Sequence, residues 1–116
     1  MSDKRPLFNF LDSKKDESLD ILEVGVAQCA TGLHILENYP NFNYIGLDKW
    51  EFDKTLQHET NKLRNWDSQE KWDGIYNKVL ENTKKFGDRC QIIRECSREF
   101  LPTYSKKFDL IHIVRG

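Results

Sequence analysis

The sequence has no excess of either charge. Eighteen Lys and Arg stand against nineteen Asp and Glu, a formal net charge of −1 at pH 7. A protein that tracks a phosphate backbone carries a basic patch or stripe; none is visible, so nucleic acid is not expected as a partner. Cysteine is scarce and odd in number: Cys29, Cys90 and Cys96, with no C-x-x-C spacing. That argues against a disulfide framework or a zinc knuckle and fits reduced thiols in a cytoplasmic protein. Long apolar runs are missing, so no membrane span is expected. The opening MSDKRPLFNFLDSKKDESLD has a charged start but no apolar stretch or small-residue cleavage site, and no secretory leader is expected. No two histidines stand at metal-ligand spacing, so no metal site is expected. Internal repeats and low-complexity tracts are absent. A chain of 116 residues has room for one modest domain with one core.

What is present is alternation. Residues 1–18 read as a polar, loop-like segment with a short helical turn around Leu7–Leu11, and 19–116 as one domain. DILEVGV has apolar residues on both faces, as a buried parallel strand does. Thr31–Tyr39 carries helical spacing (Leu33, Leu36, Tyr39), and Pro40 stops it. FNYIGLD is a second strand, ending in an acid. Glu51 to about Trp66 is a polar mixture of helix and loop. WDGIYNKVLENTKKFGD is an amphipathic helix with Trp72, Ile75, Tyr76, Val79, Leu80, Thr83 and Phe86 on one face and Gly87 at its end. CQIIRE gives a third strand, SREFLPTY a short helix or turn, and FDLIHIV a fourth strand. Such alternation predicts an α/β fold with a parallel sheet and right-handed crossovers. Ligands then bind beyond the carboxyl ends of the strands, where strand order reverses. The stretches to inspect are Gly25–Thr31, Asp48–Trp50, Glu95–Ser97 and the tail after Ile113.

Within those stretches the chemistry is specific. Gly25 lets the chain turn sharply out of the first strand, and Ala27 and Ala30 keep the loop thin. The following helix presents main-chain N–H groups to whatever lies there. Asp48 can accept hydrogen bonds from a ribose diol. Glu23 is the odd residue: a dinucleotide's phosphates have no use for an acid before the glycine, but an ammonium group does. A ligand with a ribose and an α-amino acid end suits both acids. Each residue also has a plainer reading. Gly25 can be a simple turn, Asp48 a helix cap or solvated acid, Trp50 a packing residue, His112 a core histidine with a partner, and Cys29 a small buried residue.

EVGVAQCAT and GLDKW, followed by FGDRCQIIRECSREFLP and FDLIHI, resemble the class I S-adenosylmethionine-dependent methyltransferases. They are most similar to the branch that methylates hydroxyls of sugars and other small molecules. The resemblance runs over residues 19–113 and implies a Rossmann-like parallel sheet, order 3-2-1-4, with helices on both faces. It implies that Glu23, Gly25, Val26 and Ala27 form the loop under the methionine part of S-adenosylmethionine. Asp48 would hold the ribose, Lys49 and Trp50 would flank ribose or adenine, and Cys96 and Ser97 would lie near the adenine. No catalytic residue is assigned. The class usually has seven strands and four are counted here, so the expectation is the N-terminal half of that fold, truncated after strand four. Its strand-four edge would invite self-association or a partner chain, and it would not turn over alone. Two alternatives stand beside this reading. One is a non-catalytic module of the same fold; the other, a nicotinamide-dinucleotide oxidoreductase domain, needs G-x-G-x-x-G, of which Gly25 alone is kept.

Overall fold

A computed structural model describes residues 6–52, 68–96, 98 and 107–114. Four strands form one parallel sheet: β1 (Asp20–Val24), β2 (Asn43–Asp48), β3 (Cys90–Arg94) and β4 (Leu110–Ile113), in the order β3-β2-β1-β4. Its register pairs Glu23 with Gly46 on one side and with His112 on the other. The two central strands bury every residue between their ends, on both faces, which is why their sequences read as continuous apolar runs. In β3 and β4 no residue is fully buried, as befits edge strands.

Among the described residues the sheet is accompanied by α1 (Pro6–Ser13), α2 (Ala30–Asn38), α3 (Gln69–Thr83) and the 3₁₀ turn Lys84–Arg89. The first of these is longer than the sequence reading had it. Where a short helical turn around Leu7–Leu11 was expected in a loop-like segment, there is an eight-residue helix, with Pro6 at its start, where a missing N–H costs nothing. Phe8 and Leu11, three residues apart, are buried in the main core, and Tyr39 O–H donates to Asp12, tying α1 to the end of α2. Apolar residues too sparse to show a period were enough to dock two turns.

Helix α2 ends before Pro40, and Arg89 reaches its last turn. Arg89 Nη2 donates to the carbonyls of Leu36 and Tyr39, and Nε donates to that of Phe42. Ser68 caps α3, its Oγ accepting the Lys71 N–H at 3.2 Å. Val79 is buried and Trp72, Ile75, Tyr76 and Phe86 pack beside it, as the amphipathic pattern requires. Leu80 departs from that pattern at 38% exposure. It lies about 100° round the helix from Val79, beyond the stripe that meets the core. Gly87, at φ +58°, reverses the chain into β3.

The sheet has two apolar faces. Ile21, Val26, Tyr44 and Trp50 join residues from α1, α2 and α3 in the larger cluster, while Leu22, Ile45 and Leu47 pack with Val24, Ile93 and Phe108 on the other face. The expectations for residues 53–67 and for 99–106 lie outside the described residues.

Candidate ligand site

Strand order reverses at β1: the chain moves outward from β1 to β2 and β3, then returns to lay β4 on the opposite flank. The crevice beyond the carboxyl end of β1 is where such sheets hold ligands, and the backbone is most unusual there. Gly25 has φ +91°, and a Cβ on it would sit 2.6 Å from the Val114 carbonyl oxygen. Val114 is held at that distance by its own N–H, which donates to Val24 O at 2.8 Å. Glycine is therefore required twice, for its dihedral and for its size. Among the described residues, the non-glycine residues with left-handed backbone are Ala27 (φ +50°), Cys29 (φ +66°) and Trp50 (φ +46°). All three follow the carboxyl ends of β1 and β2. Such conformations cost on the order of 1–3 kcal/mol each and gather at ligand sites and switches.

Asp48 joins the two loops. Its Oδ2 accepts the Ala27 N–H and its Oδ1 the Trp50 N–H, each at 2.9 Å, while Trp50 Nε1 donates to Ala27 O at 2.8 Å. A carboxylate offers about four acceptor positions, so the Asp48 carboxylate is oriented by two main-chain donors and keeps room for further ones. It is half-buried, at the mouth of the crevice. Trp50 is 0% exposed, its indole packed on Tyr76 with centroids 5.0 Å apart. The packing role that the sequence allowed it is occupied here, with the indole N–H bound to a carbonyl inside the loop.

Lys49 and Cys96 meet in a cleft of about 690 Å³ over the ends of β2 and β3, lined also by Glu51, Gln69, Asp73, Arg94 and Glu95. Arg94 organises one wall. Its guanidinium donates to Lys49 O and Trp50 O, each at 3.0 Å, and to Asp73 Oδ1 at 2.5 Å, and it lies over the Tyr76 ring. Gln69 Nε2 donates to the same Trp50 carbonyl and to Asp73, and Gln69 Oε1 accepts the Phe52 N–H. The Arg94 hydrogen bond, with that from Gln69, holds the Asp73 carboxyl below its usual range. Sequence reasoning passed over this trio. Gln69 and Asp73 stand four apart on the first turns of α3, hence on one face, and Arg94 ends β3; those were the available signals. Ser97 lies outside the described residues.

Glu23, just before Gly25, is 2% exposed. Oε1 accepts the Tyr44 hydroxyl at 2.5 Å and Oε2 lies 3.1 Å from His112 Nδ1. The Glu23 carboxylate thus bridges β1, β2 and β4 within the fold. His112 has the partner that a core histidine needs. Cys29 Sγ lies 3.8 Å from the Tyr44 oxygen. Burial pushes the Cys29 thiol up to about 12. Burial, with Glu23 and Cys29 alongside, pushes the Tyr44 phenol well above its usual range. Both groups therefore remain protonated donors.

Among the described residues, no group of three or more His, Cys, Asp or Glu is placed to hold a metal ion, and no helix is long and apolar enough to cross a membrane. No protein-family model matches the sequence, and no curated protein does. Among solved structures, the chain is similar to the SAH-bound methyltransferase PaMTH1 of Podospora anserina, with a TM-score of 0.59 and 20% identity. The match covers 97% of this chain and 41% of that one. The likeness is one of fold: a four-stranded parallel sheet with helices, order 3-2-1-4, matching the Rossmann-like methyltransferase fold.

Proposed function

We propose that this chain carries the cofactor half of an S-adenosylmethionine-dependent methyltransferase site. One observation carries the reading: the Asp48 carboxylate, ending β2, is aimed by the N–H groups of Ala27 and Trp50 and keeps acceptor capacity, beside the left-handed loop that leaves β1. A ribose diol is a ligand that such a carboxylate takes. Gly25, Val26 and Ala27 lie beneath the methionine part, and Lys49, Cys96 and Ser97 border the adenine side. Glu23 supports the loop from below and Trp50 closes its flank. The SAH bound in the structural neighbour agrees with a ligand of this kind.

S-Adenosylmethionine supplies a methyl group on a positively charged sulfur. The residues of this chain hold the ribose and the amino acid end so that an acceptor can approach in line, which is a task of positioning. The acceptor in this reading is a hydroxyl of a sugar or another small molecule. Such an acceptor must lose a proton, and its binding surface lies on the β4 side. There Ile111 and Ile113 are 51% and 61% exposed on the sheet's edge. An edge strand of that kind pairs readily with another strand. In this reading, β4 is the flank on which the sheet and the acceptor side of the site would be extended.

Calorimetric titration of the 116-residue chain with S-adenosylhomocysteine, and separately with NAD, tests the reading. Binding of the first but not the second is expected, with affinity lost in Asp48→Ala. Preference for NAD, or equal S-adenosylhomocysteine affinity in wild type and Asp48→Ala, would overturn it.

A further inference from the structure

The Tyr44 ring occupies a slot cut by two glycines. A Cβ on Gly32, in α2, would lie 2.5 Å from Tyr44 Cζ, 2.7 Å from its oxygen and 2.7 Å from Cys29 Sγ. A Cβ on Gly46, in β2, would lie 3.0 Å from Tyr44 Cε1 and 2.9 Å from Val26 Cγ2. Both elements give up side-chain volume so that a phenol can pass under the start of α2. Its hydroxyl then meets Glu23 on one side and Cys29 on the other.

Cys29 is the hinge of the loop. Its N–H donates to Val26 O at 2.8 Å, its carbonyl accepts the Leu33 N–H at 2.9 Å, and its left-handed backbone starts α2 without a side-chain cap. The phenol therefore touches the residue that converts the β1 loop into a helix. Through Glu23 it is also linked to His112 on β4.

We propose that Tyr44 is a positioning residue: its hydroxyl, held by Glu23, fixes the Val26–Cys29 loop through Cys29 and thereby sets ligand affinity there. The consequence for affinity rests on the cofactor reading above; the consequence for the loop does not. A ring that merely filled space would do as well as phenylalanine.

The test compares amide NMR spectra and hydrogen exchange of the ¹⁵N-labelled full chain as wild type, Tyr44→Phe and Glu23→Gln, first without ligand. In Tyr44→Phe the strand amides are expected to stay in place while those of residues 26–30 shift and exchange about fivefold to tenfold faster, the equivalent of one lost hydrogen bond. Glu23→Gln, whose amide oxygen still accepts the phenol proton, should move the same signals in the same direction by less. Loop amides unchanged in Tyr44→Phe would overturn the proposal. If that variant does not fold, unchanged loop amides in Glu23→Gln would do so. S-Adenosylhomocysteine is then titrated, and a loss of about fivefold to tenfold in affinity is expected in Tyr44→Phe. A wild type that fails to bind it refutes the cofactor reading, while the ligand-free spectra still decide the role of Tyr44.

Discussion

The N–H of Ala27 donates to Asp48 Oδ2 at 2.9 Å, a hydrogen bond between residues 21 positions apart that pins the end of β2 to the loop leaving β1. Ala27 adopts φ +50° in making it, so a left-handed residue is held in place by a carboxylate. The same carboxylate oxygen set also orders Trp50. One side chain thus fixes two strained loops, and the shape of the crevice depends on it.

Asp48→Ala should therefore lower stability as well as ligand affinity. Two main-chain donors lose their acceptor, at about 1–3 kcal/mol for each that water cannot reach. Asp48→Asn keeps one acceptor oxygen and should lose about half as much. Urea denaturation of the three proteins without ligand gives the comparison; equal midpoints would show that the clasp contributes nothing.

Gly25→Ala and Ala27→Gly should act in opposite directions. The first places a Cβ against the Val114 carbonyl at φ +91° and should cost at least about 1–3 kcal/mol. The second relieves a left-handed alanine, worth about 1–2 kcal/mol, against about 0.4–1 kcal/mol from greater freedom of the unfolded chain. Its stability should match wild type or exceed it by up to about 1.6 kcal/mol. Thermal melts would decide, and a destabilised Ala27→Gly would show that the loop needs its methyl group.

Arg89 is expected to be a stability determinant remote from the crevice. Its guanidinium caps carbonyls of Leu36, Tyr39 and Phe42. Charged hydrogen bonds of this kind contribute about 1.5–3 kcal/mol each, less than additively. Arg89→Met should lose about 2–4 kcal/mol, and Arg89→Lys, lacking the planar fork, should recover less than half. Ligand affinity measured well below the melting temperature should change little; a loss matching that of Asp48→Ala would place Arg89 in the site.

Alkaline pH should destabilise the fold. Burial pushes Cys29 up to about 12 and Cys90 up to about 11, each from 9.0. The folded chain keeps protons that the unfolded chain releases, so this stability is intact well below pH 9.0 and declines as pH rises through it toward 11 to 12. Tyr44, also raised, adds to the decline at the upper end. The denaturation midpoint should fall between pH 8.5 and 10.5 (about the range over which unfolded thiols titrate), and less steeply in Cys90→Ala. A midpoint flat over that range would contradict the burial of these thiols.

The central strands were legible because a parallel strand inside a sheet buries both faces, which gives Asp20–Val24 and Asn43–Asp48 their uninterrupted apolar runs; the strand order came only from the resemblance to the methyltransferase class. Gly25 and Asp48 were legible for the same reason: once the strand ends are placed, an α/β sheet tells which residues border the crevice. Of helix α1 only a turn around Leu7–Leu11 was legible, since Phe8 and Leu11 show no period in so short a stretch and find their order only against the core.

The sequence by itself determined where the chain turns, which residues reach the carboxyl end of the sheet, and that a carboxylate stands just before Gly25. Tertiary structure alone decided what that carboxylate does. The register that sets Glu23 beside His112 and the glycine slot that admits Tyr44 turn it inward. Long-range closure likewise brings Arg94 to Asp73 and Gln69, and buries Trp50 on Tyr76. Local patterns encode backbone shape and burial period, whereas polar partners from different strands meet only once the sheet has fixed its register.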